Sequence, residues 1–219
     1  MNLFLLAHGL GDYIFQSDTL VSMKKDGNPR GYAIHFLVIL LFNLAAILPI
    51  LSWHSVITAF IITAAHIFID YARYIFFKSD NAYLFIIDQC AHIAVIYGAT
   101  LLFSIPSYSP VYINCAVIYV YVVFGGALLI RHVLDMLRLQ SSQYKVKNAG
   151  RIIGILERSI MLILVAIGET SAIGFVIAAK SIARFKELDD KEFAEYYLIG
   201  SLMSMLLALT GGLAIQGIL

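Results

Sequence analysis

Residues 31–69 read GYAIHFLVILLFNLAAILPILSWHSVITAFIITAAHIFI, and none of them is Asp, Glu, Lys or Arg. A second charge-free run, QCAHIAVIYGATLLFSIPSYSPVYINCAVIYVYVVFGGALLI, covers 89–130. Each run is long enough for two crossings of about 20 apolar residues joined by a tight turn. A helix on a soluble core keeps a polar face and does not stay uncharged for that distance. The implied fold class is all-α, a polytopic transmembrane helix bundle.

Working outward, the whole chain agrees. Hydrophobic residues fill 61% of its 219 positions and charged residues 13%, against about 45–50% and about 25% in soluble domains. Hydropathy places segments near 2–16, 32–50, 55–77, 82–104, 111–131, 152–168, 171–184 and 194–216, about seven to eight membrane segments in all. The first and seventh are short for a full crossing and suit half-helices or segments shielded by neighbours. Pro49, Pro106 and Pro110 fall at breaks, where a missing N–H costs least. Gly125-Gly126 and Gly211-Gly212 fall within segments, where small residues let helices approach closely. The chain reads as one integral-membrane domain over 1–219, with His/Asp-bearing helices in 1–104, a basic loop in 131–151 and C-terminal helices in 152–219.

The net charge of +1 says nothing about partners, because what matters is where the charges sit, and no basic stripe points to nucleic acid. The start, Met1-Asn-Leu-Phe-Leu-Leu-Ala-His8, lacks a basic n-region and a small-residue cleavage site, so it is expected to be retained. Cys90 and Cys115 stand in no metal or redox spacing and read as packing residues. Loop cations set the orientation. Lys24, Lys25 and Arg30 come after the first segment, Arg73 and Lys78 flank the end of the third, and Arg131, Arg138, Lys145, Lys147 and Arg151 come after the fifth. The connections near 49–54 and 105–110 carry no Lys or Arg. This alternation places the N-terminus outside and the basic loops in the cytoplasm. Asp189 or Asp190, ahead of Glu192, is expected to cap the last helix.

The chemistry lies in ionisable side chains within the segments, which are expensive there and mark function. His8 and Asp12, His66 and Asp70, and Asp88 and His92 are three i,i+4 pairs, each on one face of its helix. The first and third segments run inward and read His then Asp, whereas the fourth runs outward and reads Asp then His. All three pairs therefore put Asp toward the cytoplasm and His one turn deeper, with His35 close to the Asp level. Separate charges on these groups would be intolerable in hydrocarbon. A divalent cation resolves the conflict: zinc first, with manganese or iron as alternatives. The ligand count permits one metal with supporting partners, or two. Gln16 and Gln89 are placed to orient ligands or substrate. A lone polar pair would read as an interhelical hydrogen bond, but three pairs of matching polarity favour metal. His54 and His132 sit at segment ends as interfacial residues. Arg151, Arg158, Lys180 and Arg184 form a later set able to hold a phosphate or other anionic headgroup. Snorkelling at helix ends accounts equally well for Lys180 and Arg184.

The stretches His8-Gly-Leu-Gly-Asp-Tyr-Ile-Phe-Gln16, His66-Ile-Phe-Ile-Asp70, Asp88-Gln-Cys-Ala-His92 and the run from Gly150 through Gly200 resemble a bacterial multi-pass membrane family catalogued as domain of unknown function 3307. The resemblance implies a bacterial inner-membrane protein and no particular activity.

The residues themselves point to a metal-dependent membrane-embedded hydrolase of an amphiphilic or phosphorylated substrate, with Asp12, Asp70 and Asp88 as its catalytic carboxylates. The competing readings are a transporter or channel for divalent cations or protons, and a non-catalytic membrane partner. The expected partners are the lipid bilayer and a lipid-linked or phosphorylated small substrate, with a homo-oligomer left open.

Overall fold

A computed structural model of the chain describes residues 1–77, 81–137 and 147–219. Lys78, Arg138 and Lys145, three of the cations behind the orientation argument, lie outside the described residues. Every described element is helical. The helices are α1 (Asn2–Gly9), α2 (Asp18–Lys25), α3 (Pro29–Ala46), α4 (Trp53–Phe76), α5 (Ala82–Leu102), α6 (Val111–Tyr119), α7 (Gly126–Met136), α8 (Lys147–Ala166), α9 (Ile173–Ala183) and α10 (Lys191–Gln216). Two π segments, Leu10–Ile14 and Val120–Gly125, extend α1 and join α6 to α7.

Among the described residues, five helices are long and apolar enough to cross a membrane: Pro29–Ala46, Trp53–Phe76, Ala82–Leu102, Val111–Met136 and Lys191–Gln216. These are the second to fifth and the last of the segments expected from hydropathy. Their polarity is inverted relative to a soluble protein. Leu37, Leu41 and Phe68 point outward at 63%, 66% and 69% exposure, while His35, Asn43 and His66 on the same helices are buried. Lipid takes the place of the core for such outward side chains, so helix association rests on close packing and on polar contacts inside. The chain is a membrane protein by this pattern.

The chain divides into two compact units, Met1–Val120 and Tyr121–Leu219. In the first, α1 and α4 run in one direction and α3 and α5 in the other. Phe4, Ile47, Ala59, Ile62, Ile96 and Ala99 form an apolar cluster at one end of these helices. Asn43 Nδ2 donates to Thr63 Oγ1 at 3.0 Å, tying α3 to α4 next to that cluster. The buried histidines and aspartates lie farther along, toward the opposite end. Local signals fix the boundaries. Ser17 accepts from the Leu20 N–H at the head of α2, Asn28 from Arg30 at the head of α3, and Ser52 and Ser55 form a reciprocal capping box on α4.

In the second unit α8, α9 and α10 pack together. A Cβ on Gly212 would collide with Val165 Cβ and lie 2.9 Å from the Leu162 carbonyl, so α10 meets α8 where only glycine fits. Gly168, at φ +84°, makes the turn between α8 and α9. Asp190 caps α10 by accepting from the Phe193 N–H at 3.0 Å, the cap expected from sequence.

Candidate metal centre

The π turn at Leu10–Ile14 closes with the Phe15 N–H on the Leu10 carbonyl at 3.0 Å. Such turns hold one residue more than an α turn and recur at functional sites. This one carries Asp12, a buried carboxylate. Asp12 Oδ1 lies 3.2 Å from His35 Nε2 and 3.2 Å from His66 Nε2, and those two nitrogens are 3.0 Å apart. The imidazoles are close enough to share a proton, yet no donor is aligned on Asp12 Oδ1. Zinc bonds of about 2.0–2.1 Å to oxygen and nitrogen put neighbouring ligands of a tetrahedron about 3.3–3.4 Å apart. The Asp12–His35–His66 triangle has nearly that spacing. Asp70 Oδ2 adds a fourth corner, 3.4 Å from His35 Nε2 and 3.7 Å from His66 Nε2.

The corner at Asp70 is shared. Lys24 Nζ lies 2.5 Å from the same Oδ2 and 3.0 Å from Gln16 Oε1, and Lys24 is buried. The groups paired with Asp12 within 4 Å, by contrast, are the histidines His8, His35 and His66. It is the carboxylate whose charge has no fixed cation beside it.

The remaining residues extend the cluster. His92 Nδ1 donates to the Asp88 carbonyl at 2.8 Å, and because a carbonyl only accepts, Nδ1 carries the proton. Its Nε2 is thereby left as a bare lone pair, 3.8 Å from Asp70 Oδ1 and with no hydrogen-bond donor. Fixing one ring nitrogen by a backbone bond is how proteins aim the other at a metal. Asp88 lies 3.9 Å from Arg73 and accepts from Gln89 at 3.1 Å. Gln89 Oε1 in turn accepts from the Tyr13 hydroxyl and meets His8 Nε2 at 3.3 Å. His8 stacks on His92 at 5.1 Å between ring centroids, and His66 packs against His92 at 4.2 Å. Three overlapping groups can hold an ion: His8, Asp12 and His66; His35, His66 and Asp70; and Asp70, Asp88 and His92. His66 and Asp70 each belong to two of them.

The cluster is layered. A cavity of about 10 Å³ on its apolar side is lined by His8, His66 and His92 with Ile39, Asn43 and Ile62. No carboxylate lines it. Asp12, Asp70 and His35 touch His66 without lining the cavity, and Lys24, bonded to Asp70, carries the contacts on to Gln16. The expected His and Asp levels are thus adjacent layers in the first unit.

Of the residues singled out from sequence, His8, Asp12, His35, His66, Asp70, Asp88 and His92 come together, with Gln16 and Gln89 bonded at their edge. Arg151, Arg158, Lys180 and Arg184 belong to the second unit. There Arg151 is exposed, Arg184 pairs with Glu187 at 3.5 Å, Lys180 pairs with Glu157 at 2.6 Å, and Arg158 is buried. They do not form one cationic cluster. Two residues of the centre escape sequence reading. Tyr13 is unremarkable beside Asp12, and Lys24 reads as a loop cation. The available signal for Lys24 is its position four residues after Leu20 on a short amphipathic helix, since both are buried on one face.

No curated protein and no solved structure matches the chain. A family profile matches residues 1–120, so the Gly150–Gly200 run lies outside that match, and the match ends where the first compact unit ends. The segment it covers holds every residue of the centre and more than half of the chain, and the chain belongs to that family, described as a protein of unknown function (DUF3307).

Proposed function

We propose that the first unit is a membrane-embedded divalent-metal centre that hydrolyses an amphiphilic or phosphorylated substrate. The observation that carries this is the Asp12–His35–His66 triangle, whose edges of 3.0–3.2 Å match the ligand spacing of one small transition-metal ion. Zinc suits the mixed carboxylate and imidazole donors, and manganese or iron would accept the same set. A catalytic site keeps one metal position open. Lys24 would favour such an opening, because its ammonium is already bonded to Asp70 Oδ2. A divalent metal contributes Lewis acidity and lowers the pKa of water to about 7. With that metal held, Asp70 would be the neighbouring carboxylate able to take a proton from water, and Lys24 would balance its charge. The small cavity beside His8, His66 and His92 is about the size of one water. His8, His92, Asp88 and Gln89 hold the ligands in place.

The layering fits a bundle of seven to eight segments with the N-terminus outside and the carboxylates toward the cytoplasm of a bacterial inner membrane. One observation favours a second reading, transport of a divalent cation: a tethered ammonium on Asp70 is a counterion that a passing cation can displace. The deciding experiment is elemental analysis of protein purified without chelator, followed by turnover and flux assays in liposomes. Stoichiometric metal with metal-dependent hydrolysis of a phosphorylated or ester amphiphile, and no metal flux, supports the enzyme. Absence of stoichiometric metal with unchanged thermal stability in chelator overturns the centre itself.

A further inference from the structure

A second polar cluster lies wholly within the second unit and is not used by the metal centre. It begins at Arg158, which is 3% exposed in the middle of α8. Its Nε donates to the Val123 carbonyl at 3.1 Å, in the π segment where the regular ladder lapses, and its Nη1 donates to Ser204 Oγ at 3.4 Å. Two glycines make room for it. A Cβ on Gly154 would lie 3.3 Å from Nη1, and one on Gly126 would lie 3.8 Å from Cδ. Both partners are neutral, and Nη2 has none. The adjacent Glu157 is already bonded to Lys180 at 2.6 Å. The guanidinium is therefore a charge between membrane helices that makes no ion pair with a carboxylate among the described residues, its neighbour Glu157 being bonded to Lys180, an arrangement that is costly unless something balances it.

A cavity of about 110 Å³ lies between α8, α9 and α10, and Arg158 stands behind its wall, bonded to the lining residue Ser204. Tyr197, Ser201 and Ser204 line it from successive turns of α10, and Ser201 Oγ is buried without a partner. Lys180 and Glu157 line it opposite, and Met161, Ile177, Leu202 and Met205 supply apolar walls. Methionine walls adapt to flexible chains. Leu198 and Leu202 line the cavity while being 53% and 58% exposed, so it opens on the outer face that lipid covers.

We propose that this cavity binds a phosphate-headed, single-chain amphiphile drawn from the bilayer. The phosphate sits against Ser201 and Ser204, where it takes up the spare Ser201 hydroxyl and balances the guanidinium that lies behind Ser204. The alkyl chain lies among Met161, Ile177, Leu202 and Met205. Charge decides the head, because the Glu157–Lys180 pair cancels itself and Arg158 leaves one net positive charge. The site needs nothing from the metal centre and stands whether or not that centre is catalytic.

The test is calorimetric binding of dodecyl phosphate to the full-length protein in a neutral detergent, with dodecyltrimethylammonium and inorganic phosphate as comparisons. Saturable binding of dodecyl phosphate alone is expected. Ser201→Phe fills the cavity and leaves both bonds of Arg158 in place, and it should weaken binding about tenfold or more with metal content unchanged. Arg158→Gln removes the charge and should do the same. No saturable binding, equal binding by Ser201→Phe, or equal binding of the cationic amphiphile overturns the proposal. Inorganic phosphate binding as tightly as dodecyl phosphate also overturns it, since the ligand would then be a free anion.

Discussion

The ammonium of Lys24 lies 2.5 Å from Asp70 Oδ2, and the same oxygen is 3.4 Å from His35 Nε2. A tethered cation and an imidazole thus address one carboxylate oxygen, so a metal held by His35 and His66 would meet Lys24 as a competitor for Asp70. Three measurable consequences concern this centre, and a fourth concerns the orientation of the chain.

Replacing Lys24 by Met removes the competitor and keeps the bulk of the side chain. In chelator the variant should lose about 3–5 kcal/mol of stability, because Asp70 is left buried without its cation. Added zinc should restore a larger part of the melting temperature in Lys24→Met than it adds to the wild type. Melting curves with EDTA and with zinc give the comparison. An equal zinc response in both proteins would show that Lys24 and metal do not share Asp70.

Ligands on the triangle and residues outside it should separate by metal content. His35→Ala and His66→Ala each remove one corner and should abolish stoichiometric metal. His92→Ala lies off the triangle and should keep most of the metal while lowering turnover. Elemental analysis of the three proteins decides this. Full metal retention in His35→Ala would move the centre elsewhere in the cluster.

Hydrolysis and transport make different demands on the carboxylates. Asp12→Asn, Asp70→Asn and Asp88→Asn keep shape and remove charge. Each should abolish turnover in reconstituted protein, with thermal unfolding still cooperative. In a transporter the same variants would change ion flux into sealed vesicles or its pH dependence, because a carboxylate there must load and release its ion. Metal entry into wild-type liposomes that disappears in the variants would establish the transport reading.

Orientation can be checked with single cysteines in a background lacking Cys90 and Cys115. Ser107→Cys and Leu51→Cys should react with an impermeant reagent from outside, and Asp26→Cys should not. Leu51 is the better probe of its turn because Ser52 holds the capping box of α4. Reversed labelling would put the carboxylate layer on the outer side of the membrane.

Much of this arrangement is legible in the sequence. The charge-free runs account for four of the five long apolar helices, since hydrophobic length is read directly from composition. The three His/Asp pairs are legible because i,i+4 spacing maps onto one helix face, and their reversed order on α5 carries the layering. Asp190 is legible as a cap from residue type alone. Lys24 is not, because it reaches the centre from α2, a helix too short and too polar to register in hydropathy. The π segments are equally hidden, since Leu10–Ile14 and Val120–Gly125 carry no residue that forbids an α turn. Arg158 stands out as a charge inside a segment, but its cavity depends on the approach of three helices, which no local spacing reports.

The π turn at Leu10–Ile14 makes the first unit vulnerable to an unusually small genetic change. Deleting one residue there, Gly11 for example, restores an ordinary α turn and shortens the separation of His8 and Asp12 from four residues to three, shifting one against the other by about 1.5 Å along the axis. His8 would then lose its present offset from Asp12, while composition, hydropathy and the five long helices would be almost untouched. A chain with that deletion would still insert and still look like a member of its family. The number of residues in a single turn, rather than the identity of any one of them, would separate it from a chain able to assemble the centre.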